Sequence, residues 1–209
     1  MDPAVGLVEA YLRVNGYFTV TEYPVVEATR HDGYRTATDL DILAFRFPGA
    51  GRLVPRVGSK LRPGGLEEQF APDPRLGVAG NERDMLIGEV KEGRAELNQA
   101  ATDPAVLRAV LTRFGCCEPQ HAPAVVKDLL RTGSTITHCK HRVRLVAFGS
   151  LVDNLRSDRC CVVSLGHIKQ FLEDYMQEHW DVLSQAQFKD PVLGFLLMQE
   201  KARRGNRTQ

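Results

Sequence analysis

Two short runs hold the side chains best suited to chemistry: Thr38-Asp39-Leu40-Asp41-Ile42-Leu43-Ala44 and Met85-Leu86-Ile87-Gly88-Glu89-Val90-Lys91. Both set charged residues among apolar ones in the manner of a strand with a buried face. Residues i and i+2 of a strand share a side, so Asp39 goes with Asp41, and Glu89 with Lys91, while Val90 points into the core. Sequential strands are often neighbours, and if these two are, their carboxylates and one ammonium converge on one sheet face. Like charges so close are costly unless a cation neutralises them. Hard oxygen ligands with room for water suit Mg²⁺ or Mn²⁺. Glu-x-Lys on an exposed strand is an ordinary solvated pair. Here it follows Met85-Leu86-Ile87, and charges set in a core segment need a reason.

The elements that must position these residues are punctuated by Asp-Pro, at Asp2-Pro3, Asp103-Pro104 and Asp190-Pro191. Asp accepts hydrogen bonds from the free N–H groups of a helix start, and Pro at the first position loses nothing by lacking one. The spacing predicts helices from about Pro3 to Asn15, from Pro104 through Phe114, and from Pro191 onward, the last followed by a disordered basic tail, Lys201 to Arg207. Strands are expected at Tyr17 to Glu27, Thr38 to Phe47 and Met85 to Glu92, with a turn at His31-Asp32-Gly33. A helix from Pro123 to Arg131, strands at His141 to Phe148 and Cys160 to Val163, and a long helix capped by Ser164 and reaching Leu183 complete the order. The class is α/β, a mixed sheet flanked by helices. Residues 49–83 form a long Gly/Pro-rich loop insertion whose first part carries Arg52, Arg56, Lys60 and Arg62 without an acid. These cations either grip a phosphate backbone or ride on a mobile, solvated loop.

With 209 residues, 27 cations against 26 anions and 43% hydrophobic residues, the chain is not a disordered polyelectrolyte or a basic histone-like tail. It is expected to form a single domain over 1–209, with a motif-bearing half (1–115) and a second half (116–209) of further strands and C-terminal helices. There is no run of 18 or more apolar residues, and Met1-Asp2-Pro3 lacks the start of a signal peptide, so a cytoplasmic protein without membrane contact is expected. The five cysteines include the adjacent pairs Cys116-Cys117 and Cys160-Cys161, a poor disulfide layout. His138-Cys139-Lys140-His141 has no Cys-x₂-Cys partner and is not read as a structural zinc site. Neither a Gly-x-Ser-x-Gly elbow nor a phosphate-binding Gly-x₄-Gly-Lys-Ser/Thr loop is present.

An acid in one apolar strand, followed on the next by Glu-x-Lys within apolar residues, resembles the PD-(D/E)xK, or restriction-endonuclease-like, nuclease superfamily. The stretch Val8-Glu9-Ala10-Tyr11-Leu12-Arg13-Val14-Asn15-Gly16-Tyr17-Phe18-Thr19-Val20 is similar to the opening helix and first strand of Holliday-junction-resolvase-like members. The resemblance covers roughly the first half of the chain, and Leu40 stands where the family's Pro would precede the acid. It implies a restriction-endonuclease-like α-βββ-α-β core with extra C-terminal helices. It makes Asp41 and Glu89 the metal-binding acids, with the Val90 carbonyl as a further ligand, and makes Lys91 the residue that orients the attacking water. Glu9 matches an acid often found on the first helix, Asp39 is a further candidate ligand, and Gln99 corresponds to a helix-borne polar residue of some members.

The resulting expectation is a Mg²⁺- or Mn²⁺-dependent nuclease hydrolysing phosphodiester bonds, with DNA favoured over RNA. Such enzymes often act as homodimers. The alternatives are a catalytically inactive nucleic-acid-binding or scaffold protein of the same fold, and a defence or toxin component that needs a protein partner. An intact Asp41, Glu89 and Lys91 favours the enzyme.

Overall fold

The chain runs α1 (Pro3–Val14), β1 (Tyr17–Ala28), β2 (Tyr34–Arg46), a 3-10 turn (Pro74–Leu76), β3 (Arg83–Arg94), α2 (Pro104–Arg113), α3 (Ala122–Thr132), β4 (Ser134–Ile136), β5 (His141–Leu151), β6 (Arg156–Ser157), β7 (Cys160–Ser164), α4 (Leu165–Glu178), α5 (Trp180–Leu183) and α6 (Pro191–Gly205). This is a computed structural model, and it describes residues 2–29, 33–50, 72–78, 81–152, 156–157 and 160–205. All three Asp-Pro pairs start helices. The side chain of Asp2 accepts from the Ala4 N–H at 2.7 Å, that of Asp103 from Ala105 at 2.6 Å, and that of Asp190 from Val192 at 2.9 Å. Ser164 caps α4 through the His167 N–H.

The strands form one mixed sheet in the order β1-β2-β3-β5-β7-β6, with β4 pairing β5 off this path. β1, β2 and β3 form an antiparallel meander, whereas β3–β5 and β5–β7 are parallel. A parallel neighbour needs a long crossover, and α2 and α3 supply the one between β3 and β5. The sheet therefore draws strands from both halves of the chain.

Helices cover both faces. Ile42, Ala44, Leu86, Val90, Val146 and Phe148 pack with α1, α4 and α6. Leu43, Met85, Ile87, Val143 and Leu145 pack with α2 and α3. β3 and β5 alternate cleanly between these two cores, as strands buried on both sides do. Inside the first core, Arg144 of β5 forms a two-pronged ion pair with Asp84 of β3, and the Tyr17 hydroxyl donates to the same carboxylate. That network locks β1, β3 and β5 in register, since each buried charge has its partner.

Four expectations are corrected. The long helix is interrupted at His179, so Leu183 belongs to a separate short helix, α5. The basic tail is helical as far as Gly205, because Glu200 accepts from both Arg203 and Arg204 one turn on. Of the 49–83 insertion, residues 72–78 are part of the core: Leu76 is buried, and Asp73 accepts hydrogen bonds from the Tyr11 hydroxyl and the Arg75 N–H. The short strands β4 and β6 extend the sheet beyond the expected count. The turn residues 30–32 lie outside the described residues, but β1 and β2 do pair as a hairpin, closed by Thr29 N–H donating to the Gly33 carbonyl. Among the described residues, no helix is long and apolar enough to cross a membrane.

Candidate active site

β2 and β3 pair from Arg46↔Asp84 to Ile42↔Gly88. The pairing ends one residue short of Asp41 on β2 and one residue short of Glu89 on β3. Close approach is built into β3 at Gly88, where a Cβ would fall 2.6 Å from Ile42 Cγ2 and 2.9 Å from Phe148 Cε2. Glu89 is 1% exposed. Its Oε1 accepts from the Lys91 ammonium and from Asn98 Nδ2. Its Oε2 is buried with no hydrogen-bond partner among the described residues. Asp41 Oδ2 accepts the Val90 N–H at 2.8 Å, which anchors the acid of β2 beside the Glu-x-Lys of β3.

Burial pushes the Glu89 carboxyl above the usual carboxylate range. The Lys91 hydrogen bond opposes that shift and the neighbouring Asp41 charge adds to it. For Lys91, burial works against the charged form, but the Glu89 hydrogen bond and the Glu89, Asp41 and Glu96 charges outweigh it, holding the ammonium above the ordinary lysine range. Three carboxylates, those of Glu89, Asp41 and Glu96, thus act on one ammonium, which leaves negative charge in a partly desolvated site. An orphaned buried carboxylate oxygen, next to a second carboxylate, fits a hard divalent cation.

Asn98 was missed from sequence, where its neighbour Gln99 was chosen. Gln99 is exposed in a turn and not on a helix, and its carbonyl accepts from the Thr102 hydroxyl. Asn98 instead holds Glu89 while its own Oδ1 accepts the Ala101 N–H at 2.6 Å. The segment bearing it lies across β5 at Gly149, where an added Cβ would meet Ala95 N at 2.5 Å. No local sequence signal separates Asn98 from Gln99, because the contact depends on where the turn crosses β5.

Other candidates lie elsewhere. Glu9 is buried on α1 and accepts from Arg13 and from the Thr19 hydroxyl, on the face of the sheet opposite Glu89. Asp39 is exposed. Leu40 joins the α2/α3 core and Ile42 the α1/α4 core, so alternation breaks across Asp41 and the i, i+2 rule does not carry Asp39 to the same side. Opposite this break, on β1, Glu22 has a φ of 51° between the Thr21↔Ile42 and Tyr23↔Leu40 pairs. Val90 contributes its N–H to the site, and its side chain is buried in the core as expected. Arg52, Arg56, Lys60 and Arg62 lie outside the described residues.

No protein-family model, curated protein or solved structure matches this chain.

Proposed function

We propose that this protein is a metal-dependent nuclease of restriction-endonuclease-like fold that hydrolyses phosphodiester bonds, with DNA as the first substrate to test. The observation that carries the reading is Glu89: a buried carboxylate with one oxygen tied to Lys91 and Asn98 and the other without a partner. A purely structural ion pair would have its lone pairs satisfied. The meander β1-β2-β3 followed by a crossover to a parallel strand also agrees with the core that the sequence resemblance implies.

Asp41 and Glu89 would hold Mg²⁺ or Mn²⁺, which supplies a water nucleophilic near neutral pH and neutralises charge on the phosphoryl oxygens. The chain's own groups do the positioning. Asn98 fixes the rotamer of Glu89 so that Oε2 is the free oxygen. The Val90 N–H fixes Asp41. Lys91, at the half-buried edge of the cluster, sets a positive charge where a phosphate and its attacking water must sit, and it counters the charge that grows there as the P–O bond forms.

The test is cleavage of labelled duplex, single-stranded and branched DNA, and of RNA, in Mg²⁺, Mn²⁺ or excess chelator. Cleavage that requires metal, and that disappears in Glu89→Gln and Lys91→Ala proteins of unchanged fold, is the expected result. Nucleic-acid binding without cleavage of any substrate would instead favour the inactive scaffold, and cleavage unaffected by Glu89→Gln would reject the site.

A further inference from the structure

At the opposite end of the parallel strands, a second set of metal-ligating side chains comes together. Arg83 pairs with His141 and Lys91 with Gly149, so the two ends are separated by eight residues of strand, roughly 26 Å. At the far end, the turn before α3 presents Glu118 and His121, its shape fixed by His121 N–H donating to the Glu118 carbonyl at 3.0 Å. The turn joining β4 to β5 presents His138, and is closed by the Lys140 N–H on the Thr137 carbonyl at 2.8 Å with Lys140 at a φ of 59°.

These turns bring Glu118 Oε2 to 3.6 Å from His121 Nδ1 and 3.8 Å from His138 Nε2, and the two imidazole centroids are 4.2 Å apart. One ligand atom from each residue lies within 4.8 Å of the others. Two ligands of a tetrahedral zinc, with bonds of about 2.0–2.1 Å, lie about 3.3 Å apart. The two imidazole–carboxylate separations exceed that spacing by about 0.3 and 0.5 Å, and all three side chains are exposed and free to adjust. Gln120 Nε2 donates to Glu118 Oε2 at 2.7 Å and steadies the carboxylate from outside, as partners of metal ligands commonly do.

We infer that Glu118, His121 and His138 bind a borderline divalent transition cation of the Zn²⁺ class, with the fourth position open to solvent. A single cation accepts a lone pair from all three groups. Imidazole ligands also separate this site from the Asp41–Glu89 pair, whose oxygens suit Mg²⁺ or Mn²⁺. Cys139 stands outside the ligand set: its Sγ is 3.1 Å from His138 Nε2, but the ligand atoms that all lie within 4.8 Å of one another are those of Glu118, His121 and His138. Bound metal would clasp the start of α3 to the β4–β5 turn, joining segments that are distant in sequence.

The experiment is zinc titration of the untagged full chain against a chromophoric chelator, with Co²⁺ absorption as a second readout, in an Asp41→Asn background that disables the acidic pair. One Zn²⁺ per chain is expected. His121→Ala and His138→Ala should each weaken binding by more than the roughly 10–100-fold that loss of an outer partner costs, and Cys139→Ser should leave it unchanged. Melting of the metal-free variants should match the parent, since these side chains are exposed. The Co²⁺ spectrum should lack a sulfur charge-transfer band. No zinc binding, binding indifferent to both histidine variants, or a sulfur band would each overturn the assignment.

Discussion

The Asp41 carboxylate accepts the N–H of Val90, the residue that separates Glu89 from Lys91. The acid of one strand is therefore hydrogen-bonded to the backbone of the Glu-x-Lys on the next, and its rotamer is set before any ligand arrives. Asp41→Asn keeps an oxygen acceptor for that N–H and loses the charge. It should melt close to wild type while Mn²⁺ affinity and cleavage collapse. Asp41→Ala leaves the N–H unpaired and should cost a further 1–3 kcal/mol, about the desolvation penalty of an orphaned buried donor. Thermal denaturation of the two variants side by side checks this, and equal melting would show that the hydrogen bond is incidental.

Lys91 separates catalysis from structure. Its side chain is 39% exposed, so solvent screens the ion pair and Lys91→Ala should lose only about 1 kcal/mol of stability. If the ammonium acts on the attacking water and the developing charge, kcat should fall by about 10²–10³-fold, the scale for removing one preorganised group at a transition state. Substrate binding should survive, because an interaction made mainly in the transition state does not set ground-state affinity. Stopped single-turnover cleavage with a parallel binding isotherm makes the comparison. A variant that unfolds, or that cuts at the normal rate, contradicts the role.

Gly149 offers a test from outside the cluster. A methyl at this position would press on Ala95 N and push away the segment that delivers Asn98 to Glu89. Gly149→Ala should destabilise by about 1–3 kcal/mol, typical of overpacking. Asn98→Ala should lower Mn²⁺ affinity by about 10–100-fold, the usual cost of losing an outer-shell partner. Calorimetric Mn²⁺ titrations of both variants should therefore move in the same direction.

The pH dependence follows from Glu89. Burial raises its folded pKa above the unfolded value, so the folded state holds the proton more tightly. Its contribution to stability is then fully present below the unfolded carboxyl pKa and is lost as pH rises through the folded one. Glu89→Gln removes that loss, so its melting temperature relative to wild type should climb between acid and neutral pH. Metal affinity should weaken on acidification at a higher pH than an ordinary glutamate would give. A melting difference that shrinks toward neutral pH would show that Glu89 is not the group responsible.

Local rules were legible because local physics decided them. The Asp-Pro caps at Asp2, Asp103 and Asp190 and the apolar flanks of Glu89 placed helices and strands within a few residues. The adjacency of β2 and β3 followed from chain order. What stayed hidden depended on neighbours in space. The break in alternation at Asp41 lies opposite the left-handed Glu22 of the adjacent strand, and no period-two reading of β2 alone can show it. Asn98 rather than Gln99 reaches Glu89 because the turn crosses β5 at Gly149. His121 and His138 are separated in sequence by α3 and β4, and only the two closed turns bring their rings together. The tail from Lys201 read as a run of charge until Glu200 supplied its partner.

Whether Asp41 and Glu89 share a divalent cation is read out by anomalous diffraction from crystals equilibrated with Mn²⁺. An anomalous peak is expected within bonding distance of an Asp41 carboxylate oxygen and of Glu89 Oε2, absent from Glu89→Gln crystals. Mn²⁺ that leaves this position empty, or a peak that persists there without the Glu89 carboxylate, would contradict a shared cation.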